Sequence, residues 1–210
     1  MRERERPHNV EVTLGSYERG AESYLRHSPQ EPHSSLVAFR ERVLEQMAPR
    51  QRLLELGTGP GRDAAFFEAR GIVVQRSDGA QSFVSRLREQ GHDARLLDVT
   101  RDELGQDFDA IFANAVLLHL NPGQLAALLE RAGEAVRPGG LLAFTVKEGE
   151  GEIWSEEKQL RRYFRFWREP ELRQLLERSG WPTAIIDRVQ GPRDRWLQVI
   201  CRSAARRAPD

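Results

Sequence analysis

Three glycines alternate at Gly57, Gly59 and Gly61 inside Leu53-Leu54-Glu55-Leu56-Gly57-Thr58-Gly59-Pro60-Gly61-Arg62-Asp63. A short apolar run precedes them and an amphipathic segment follows. Glycine admits positive φ and removes the Cβ that would hold a ligand away from the backbone. A strand that ends in such a turn and opens a helix leaves N–H groups of the helix's first turn to meet a ligand. A nucleotide-type cofactor is therefore expected here. Further along, Asp78, Asp98, Asn114 and Lys147 each close a short apolar run. Open parallel sheets bind ligands outside the carboxyl ends of their strands, so these side chains are expected to converge on the same place.

Two cofactor classes fit a glycine turn. A dinucleotide fingerprint, G-x-G-x-x-G, needs its third glycine for close helix–strand packing. Counted from Gly57, that position is Arg62. The Glu55 carboxylate, two residues before the turn, would repel a diphosphate and suit an ammonium. Asp78 stands about 20 residues beyond the glycines, where an acid ties down a ribose in either class. Asp98 adds an acceptor for an exocyclic amine such as that of adenine. Ammonium, ribose and adenine together describe S-adenosylmethionine.

The elements that must position these groups follow from periodicity. Ser16 to about His27, with Tyr17, Ala21, Tyr24 and Leu25, predicts a helix, and residues 34–47 predict a second, ended by Pro49. Strands are expected at 53–56, 72–78, 94–97, 108–113 and 141–146, after a turn at Arg137-Pro138-Gly139-Gly140. Helices are expected at 63–69, around 83–88, at 124–136 and at 170–179. Residues 147–154 are acidic and glycine-rich, hence a loop. Two final strands at 184–189 and 196–201, linked through Gly191-Pro192, form an antiparallel hairpin. Alternating helices and continuous apolar strands predict an α/β fold: a doubly wound, Rossmann-like three-layer sandwich. Its seven-stranded sheet is mostly parallel, with an antiparallel edge hairpin.

The order and spacing of these features resemble the class I S-adenosylmethionine-dependent methyltransferases of small molecules. Glu55-Leu56-Gly57-Thr58-Gly59-Pro60-Gly61 is similar to that family's first motif. Asp78, Asp98, Phe108-Asp109-Ala110-Ile111 and Val136-Arg137-Pro138-Gly139-Gly140 fall where its later motifs belong. The resemblance implies that Gly57, Thr58, Gly59 and Gly61 cradle the methionine part and that Glu55 binds its ammonium. It implies Asp78 on the ribose, Gly79 beside the adenine, Asp98 and Val99 on the adenine amine and ring, and Asn114 beneath the methionine. Arg62 is either a partner of the cofactor carboxylate or a solvated arginine at the helix start. Tyr17 and Tyr24 belong to an N-terminal helix like the flap that covers the cofactor in many relatives. The implied division is a tail and helical flap over residues 1–33, a catalytic domain over 34–202 and a tail over 203–210. Two other functions compete with methyl transfer: a cofactor-binding module without activity, and a NAD(P)-dependent oxidoreductase.

A proton must be removed only from some methyl acceptors. His119, just after the fourth strand, is the candidate base, against a structural role in holding the loop before Asn121-Pro122. Lys+Arg and Asp+Glu are both 32, so the chain has no global basic footprint for nucleic acid or an anionic membrane. A small-molecule substrate and a monomer or homodimer are expected. No run approaches the ~20 apolar residues of a membrane span. The single cysteine, Cys201, is expected to be a buried thiol and fits a reducing, cytoplasmic setting. The histidines show no ligand spacing, so no metal is expected. Trp154, Tyr163, Phe164, Phe166 and Trp167 interleave with Arg161, Arg162, Arg165 and Arg168. They form either an aromatic wall with a cationic rim or an insert packed on the core with solvated arginines.

Overall fold

The computed structural model describes residues 8–28, 31–157 and 160–204. The expected terminal tails, residues 1–7 and most of 203–210, lie outside the described residues. Two helices come first, α1 (His8–His27) and α2 (Ser34–Leu44). The alternation then begins with β1 (Arg52–Leu56), α3 (Arg62–Glu68), β2 (Val73–Asp78), α4 (Gln81–Glu89), β3 (Ala94–Leu96) and β4 (Phe108–Ala113). After a 3-10 turn over Leu117–His119 come α5 (Pro122–Ala135), β5 (Val136–Lys147), β6 (Glu152–Ser155) and β7 (Arg162–Arg165). The chain closes with α6 (Glu169–Arg178), β8 (Thr183–Gln190) and β9 (Arg195–Arg202).

The main sheet has seven strands in the order β3-β2-β1-β4-β5-β9-β8. β1 runs parallel to both β2 and β4, and β9 runs antiparallel to β5 and β8. The strand order reverses between β1 and β4, which places the switch point at the Gly57 turn and the segment after Ala113. On one face Phe39, Val43 and Phe67 pack on Leu53, Ala110 and Phe112. On the other, Leu125, Leu129, Leu172 and Leu176 pack on Leu54, Leu56, Ile111 and Phe144. Each such valine, leucine, isoleucine or phenylalanine taken from water contributes ~1.5–3 kcal/mol. The expected doubly wound fold with its antiparallel edge is the one observed.

Three local expectations are corrected. α1 begins at His8, well before Ser16. Its buried face includes Thr13 and Ser16, so hydroxyls hide the apolar period; the Thr13 hydroxyl accepts the Tyr163 N–H at 3.1 Å and the Ser16 hydroxyl donates to the Arg161 carbonyl at 2.7 Å. The Arg137–Gly140 turn lies inside β5, where the pairing with β4 shifts register between Phe108 and Ala110 and Gly139 takes φ +75°. The loop expected over 147–154 instead contains β6, which pairs with β7 in a separate two-stranded sheet. Cross-strand partners Trp154 and Tyr163 stack edge to face at 5.7 Å, while Tyr163, Phe164 and Trp167 are buried.

Candidate active site

The turn after β1 is held almost wholly by its own chain. Gly57 takes φ +67°, and a Cβ there would stand 2.3 Å from Val116 Cγ2, so the backbone presses against the segment after β4. The Thr58 N–H donates to the Ser77 carbonyl (2.8 Å), the Gly61 N–H to the Thr58 carbonyl (2.8 Å), and the Gly59 N–H to Asp78 Oδ2 (2.9 Å). Gly59, at φ +49°, has nothing within 4 Å of an added Cβ. It is the position where backbone meets open space.

That space is a cavity of about 300 Å³ at the carboxyl ends of the strands, with α1 as one wall. Gly57, Thr58, Gly59, Arg62, Asp78, Gly79, Asp98, Val99, Asn114, His119, Tyr17 and Tyr24 all line it. Glu55 and Gly61 are not among its lining residues. Gly61, at φ +79°, caps α3 beside Leu87. Glu55 is 2% exposed and its carboxylate accepts the Thr58 hydroxyl and, at 3.1 Å, the Ala64 N–H. Burial, with the Asp63 carboxylate nearby, raises its pKa well above the usual carboxylate range. The Glu55 carboxyl thus bonds the first turn of α3 and the Thr58 hydroxyl together and braces the turn.

Asp78 ends β2 and is nearly buried. Its Oδ2 takes the Gly59 N–H and its Oδ1 the Ala80 N–H, both at 2.9 Å. Burial nevertheless pushes its pKa up to about 6. Asp98 is 3% exposed; Oδ1 accepts the Thr100 N–H (3.0 Å) and hydroxyl (2.7 Å), and Arg101 Nε lies 3.3 Å from Oδ2. Gly79 meets α1 closely, since a Cβ there would stand 2.7 Å from Leu14 Cδ2.

Beneath the turn, Asn114 Oδ1 accepts the Thr145 hydroxyl (2.9 Å) and Nδ2 donates to Asp63 Oδ2 (3.1 Å). The Thr145 hydroxyl also accepts the N–H of Ala115 (2.8 Å), a non-glycine residue at φ +56°. That conformation costs ~1–2 kcal/mol and turns the chain sharply at the cavity floor. Asp63 also pairs with Arg40, 5% exposed on α2. Arg40 lines the cavity and was not among the expected residues. The signal for it was indirect: a carboxylate just past the glycine turn that had to find a cation.

His119 is buried between two partners. Nδ1 lies 2.6 Å from the Tyr163 carbonyl, which can only accept, so Nδ1 carries the proton. Nε2, 3.1 Å from the Tyr17 hydroxyl, is then the acceptor and Tyr17 the donor. Burial lowers the His119 pKa to about 4 and raises that of Tyr17 to about 12. Tyr17, Tyr24 and Phe83 continue as edge-on pairs at 5.6 and 5.7 Å, tying α1 to α4. Tyr24 also borders a second cavity of about 200 Å³ with His27, Leu160, Arg162 and Arg193. Among the described residues no three His, Cys, Asp or Glu side chains are grouped to hold a metal ion, and no helix is long and apolar enough to cross a membrane.

A switch-point cavity with a glycine turn on one side and carboxylates ending the next strands defines a nucleotide-cofactor α/β domain. Residues 24–183 match the family described as methyltransferase domain, and the chain belongs to that family. It is 37% identical over 98 residues to trans-aconitate 2-methyltransferase of Mycolicibacterium gilvum, covering 46% of this chain and 38% of that protein. It is 27% identical over 144 residues to the malonyl-[acyl-carrier protein] O-methyltransferase of Salmonella typhimurium, covering 65% and 54%. The aligned regions thus span between about two-fifths and half of those relatives. The fold matches that of Burkholderia thailandensis 1,6-didemethyltoxoflavin-N1-methyltransferase, solved with bound 1,6-didemethyltoxoflavin and S-adenosylhomocysteine, at TM-score 0.74 and 21% identity over 97% of this chain and 93% of that one.

Proposed function

We propose that the protein transfers a methyl group from S-adenosylmethionine to O or N of a small-molecule acceptor. The observation that carries this is Asp78: a nearly buried carboxylate clamped to the Gly59 N–H, with lone pairs left for the hydroxyls of a ribose. The other walls suit the rest of the cofactor. Asp98 and Val99 would hold the adenine, and Gly59 leaves room for the methionine backbone. Arg40 and Arg62 supply positive charge for its carboxylate, and Glu55 serves by holding the turn. When bound, S-adenosylmethionine supplies an electrophilic methyl carbon on a sulfonium. The protein's part is to hold the acceptor in line, within ~3–3.5 Å, and to exclude water. α1 acts as the cover that does so, and residues 34–202 as the catalytic domain. His119 is read as the anchor of Tyr17 rather than as a base, because both ring nitrogens are already engaged. Two of the relatives are named for trans-aconitate and for a malonyl group on which O-methylation occurs, which favours oxygen as the acceptor atom. The setting proposed is the cytoplasm.

Calorimetric titration with S-adenosylmethionine, S-adenosylhomocysteine and NAD tests this reading. Binding of the first two and not of NAD is expected. Tight NAD binding with no response to the others would overturn it.

A further inference from the structure

The second cavity lies between the C-terminal part of α1 and the chain around β7, and it shares Tyr24 with the first. Its lining includes His27, Glu157, Arg162 and Arg193. Glu157 already has a partner, since its Oε2 lies 3.9 Å from Arg193 Nη1. The arginines flanking Arg162 are likewise matched: Arg161 with Glu156, Arg165 with Glu171 and Arg168 with Glu150. Arg162 differs. Among the described residues no carboxylate pairs with it, its Nε is buried without a hydrogen-bond partner, and its Nη1 reaches only the Tyr17 hydroxyl, at 3.5 Å. The guanidinium carbon sits 5.1 Å from the Phe164 ring and 5.8 Å from the Tyr17 ring, so packing fixes its place. Leaving the buried Nε–H without a partner is unfavourable. The planar fork of a guanidinium matches an oxyanion bidentately.

We propose that Arg162 seats an anionic group of the methyl acceptor in this cavity, and that the acceptor is therefore a small carboxylic acid. The assignment rests on the methyltransferase reading above and adds its substrate class. It also agrees with the neighbouring chemistry. Tyr17 donates to His119 Nε2 and His119 Nδ1 donates to Tyr163, so neither of these two side chains is a ready base for a neutral alcohol or an ammonium. A carboxylate needs none. Its oxygen lone pair forms the new C–O bond as the S–C bond breaks, the bonding pair leaves with sulfur, the sulfonium becomes a thioether, and the product is a methyl ester with no proton moved.

The test titrates the full chain, saturated with S-adenosylhomocysteine, with succinate, glutarate and citrate, with glutaramide as the uncharged counterpart, and with inorganic phosphate. At least one carboxylate should saturate below about 20 mM while glutaramide does not. R162Q should weaken that binding roughly tenfold or more, and R162K, which keeps the charge and loses the fork, by less. S-adenosylhomocysteine affinity should stay within about twofold in both variants, which shows that they fold. Equal carboxylate binding by R162Q, equal binding of glutaramide, or no saturable carboxylate would overturn the proposal. Phosphate binding through Arg162 with no carboxylate binding would overturn the carboxylic class. Failure of the wild-type chain to bind S-adenosylhomocysteine would overturn the underlying methyltransferase reading, and it is seen before any acid is added.

Discussion

Lowering the pH from 7.5 to 5.0 titrates Asp78, whose carboxyl burial has pushed up to about 6. Its oxygens receive the backbone N–H groups of Gly59 and Ala80, each at 2.9 Å, and the side chain lines the cavity. Hydroxyls of a bound ribose would donate to the ionised form and stabilise it, so ligand binding draws the pKa of Asp78 down. Affinity for S-adenosylhomocysteine should then track the ionised fraction of the free protein. It should be flat above about pH 7 and fall below pH 6. At pH 5 roughly one Asp78 in eleven is ionised, which raises Kd about tenfold, or ~1.4 kcal/mol. Calorimetry at pH 6 in two buffers of different ionisation enthalpy should count about half a proton released per ligand bound. Asp78→Asn should abolish the pH dependence and cost ~1.5–3 kcal/mol of affinity at pH 7.5, the value of a hydrogen bond to a charged acceptor. A wild-type Kd unchanged between pH 7.5 and 5.0 would refute the reasoning. So would the same slope in Asp78→Asn.

The two glycines of the turn should fail differently. Gly57→Ala drives a methyl into Val116 at φ +67° and should chiefly lower thermal stability, whereas Gly59→Ala meets open space and should mainly weaken S-adenosylhomocysteine binding, with ~1 kcal/mol of backbone strain. Glu55 carries a raised pKa, so the folded chain holds its proton to higher pH than the unfolded chain; its contribution is complete below about pH 4.5 and is lost as pH rises through the folded value. Between pH 5 and 8 the melting temperature of Glu55→Gln should therefore fall less than that of the wild type; parallel profiles would contradict the assignment. Tyr17→Phe leaves His119 Nε2 without its donor and should cost ~1–3 kcal/mol in denaturant unfolding. Cys201, 1% exposed and with its thiol pKa raised by burial, should react with a thiol reagent only after unfolding; ready labelling of the native chain would count against its placement.

Much of the site was legible because it is written locally. A run of apolar residues, alternating glycines and a carboxylate closing the next strand are short-range patterns, and strand ends in a parallel sheet necessarily gather at one edge. Asp78, Asp98, Asn114 and the Gly57–Gly61 turn were located that way, along with the seven strands of the core and its antiparallel edge hairpin, whereas the order of those strands was not. Family resemblance added Tyr17, Tyr24, Gly79 and Val99, all of which the cavity wall contains. The remainder depended on contacts between distant parts of the chain. Whether Glu55 faces a ligand or the protein is decided by the Thr58 hydroxyl and the Ala64 N–H closing on it. Arg40 became part of the site only when α2 packed beside α3 and met Asp63. The state of His119 is set by Tyr17, 102 residues earlier, and by the Tyr163 carbonyl, 44 residues later. The start of α1 was hidden because hydroxyls on its inner face bond to β7 and its approach, a segment read first as part of an insert. Sequence alone determined which backbone turns can bend and which side chains can ionise. Only the tertiary structure decided which of those side chains have their hydrogen bonds used up and which, like Arg162, still have donors to offer.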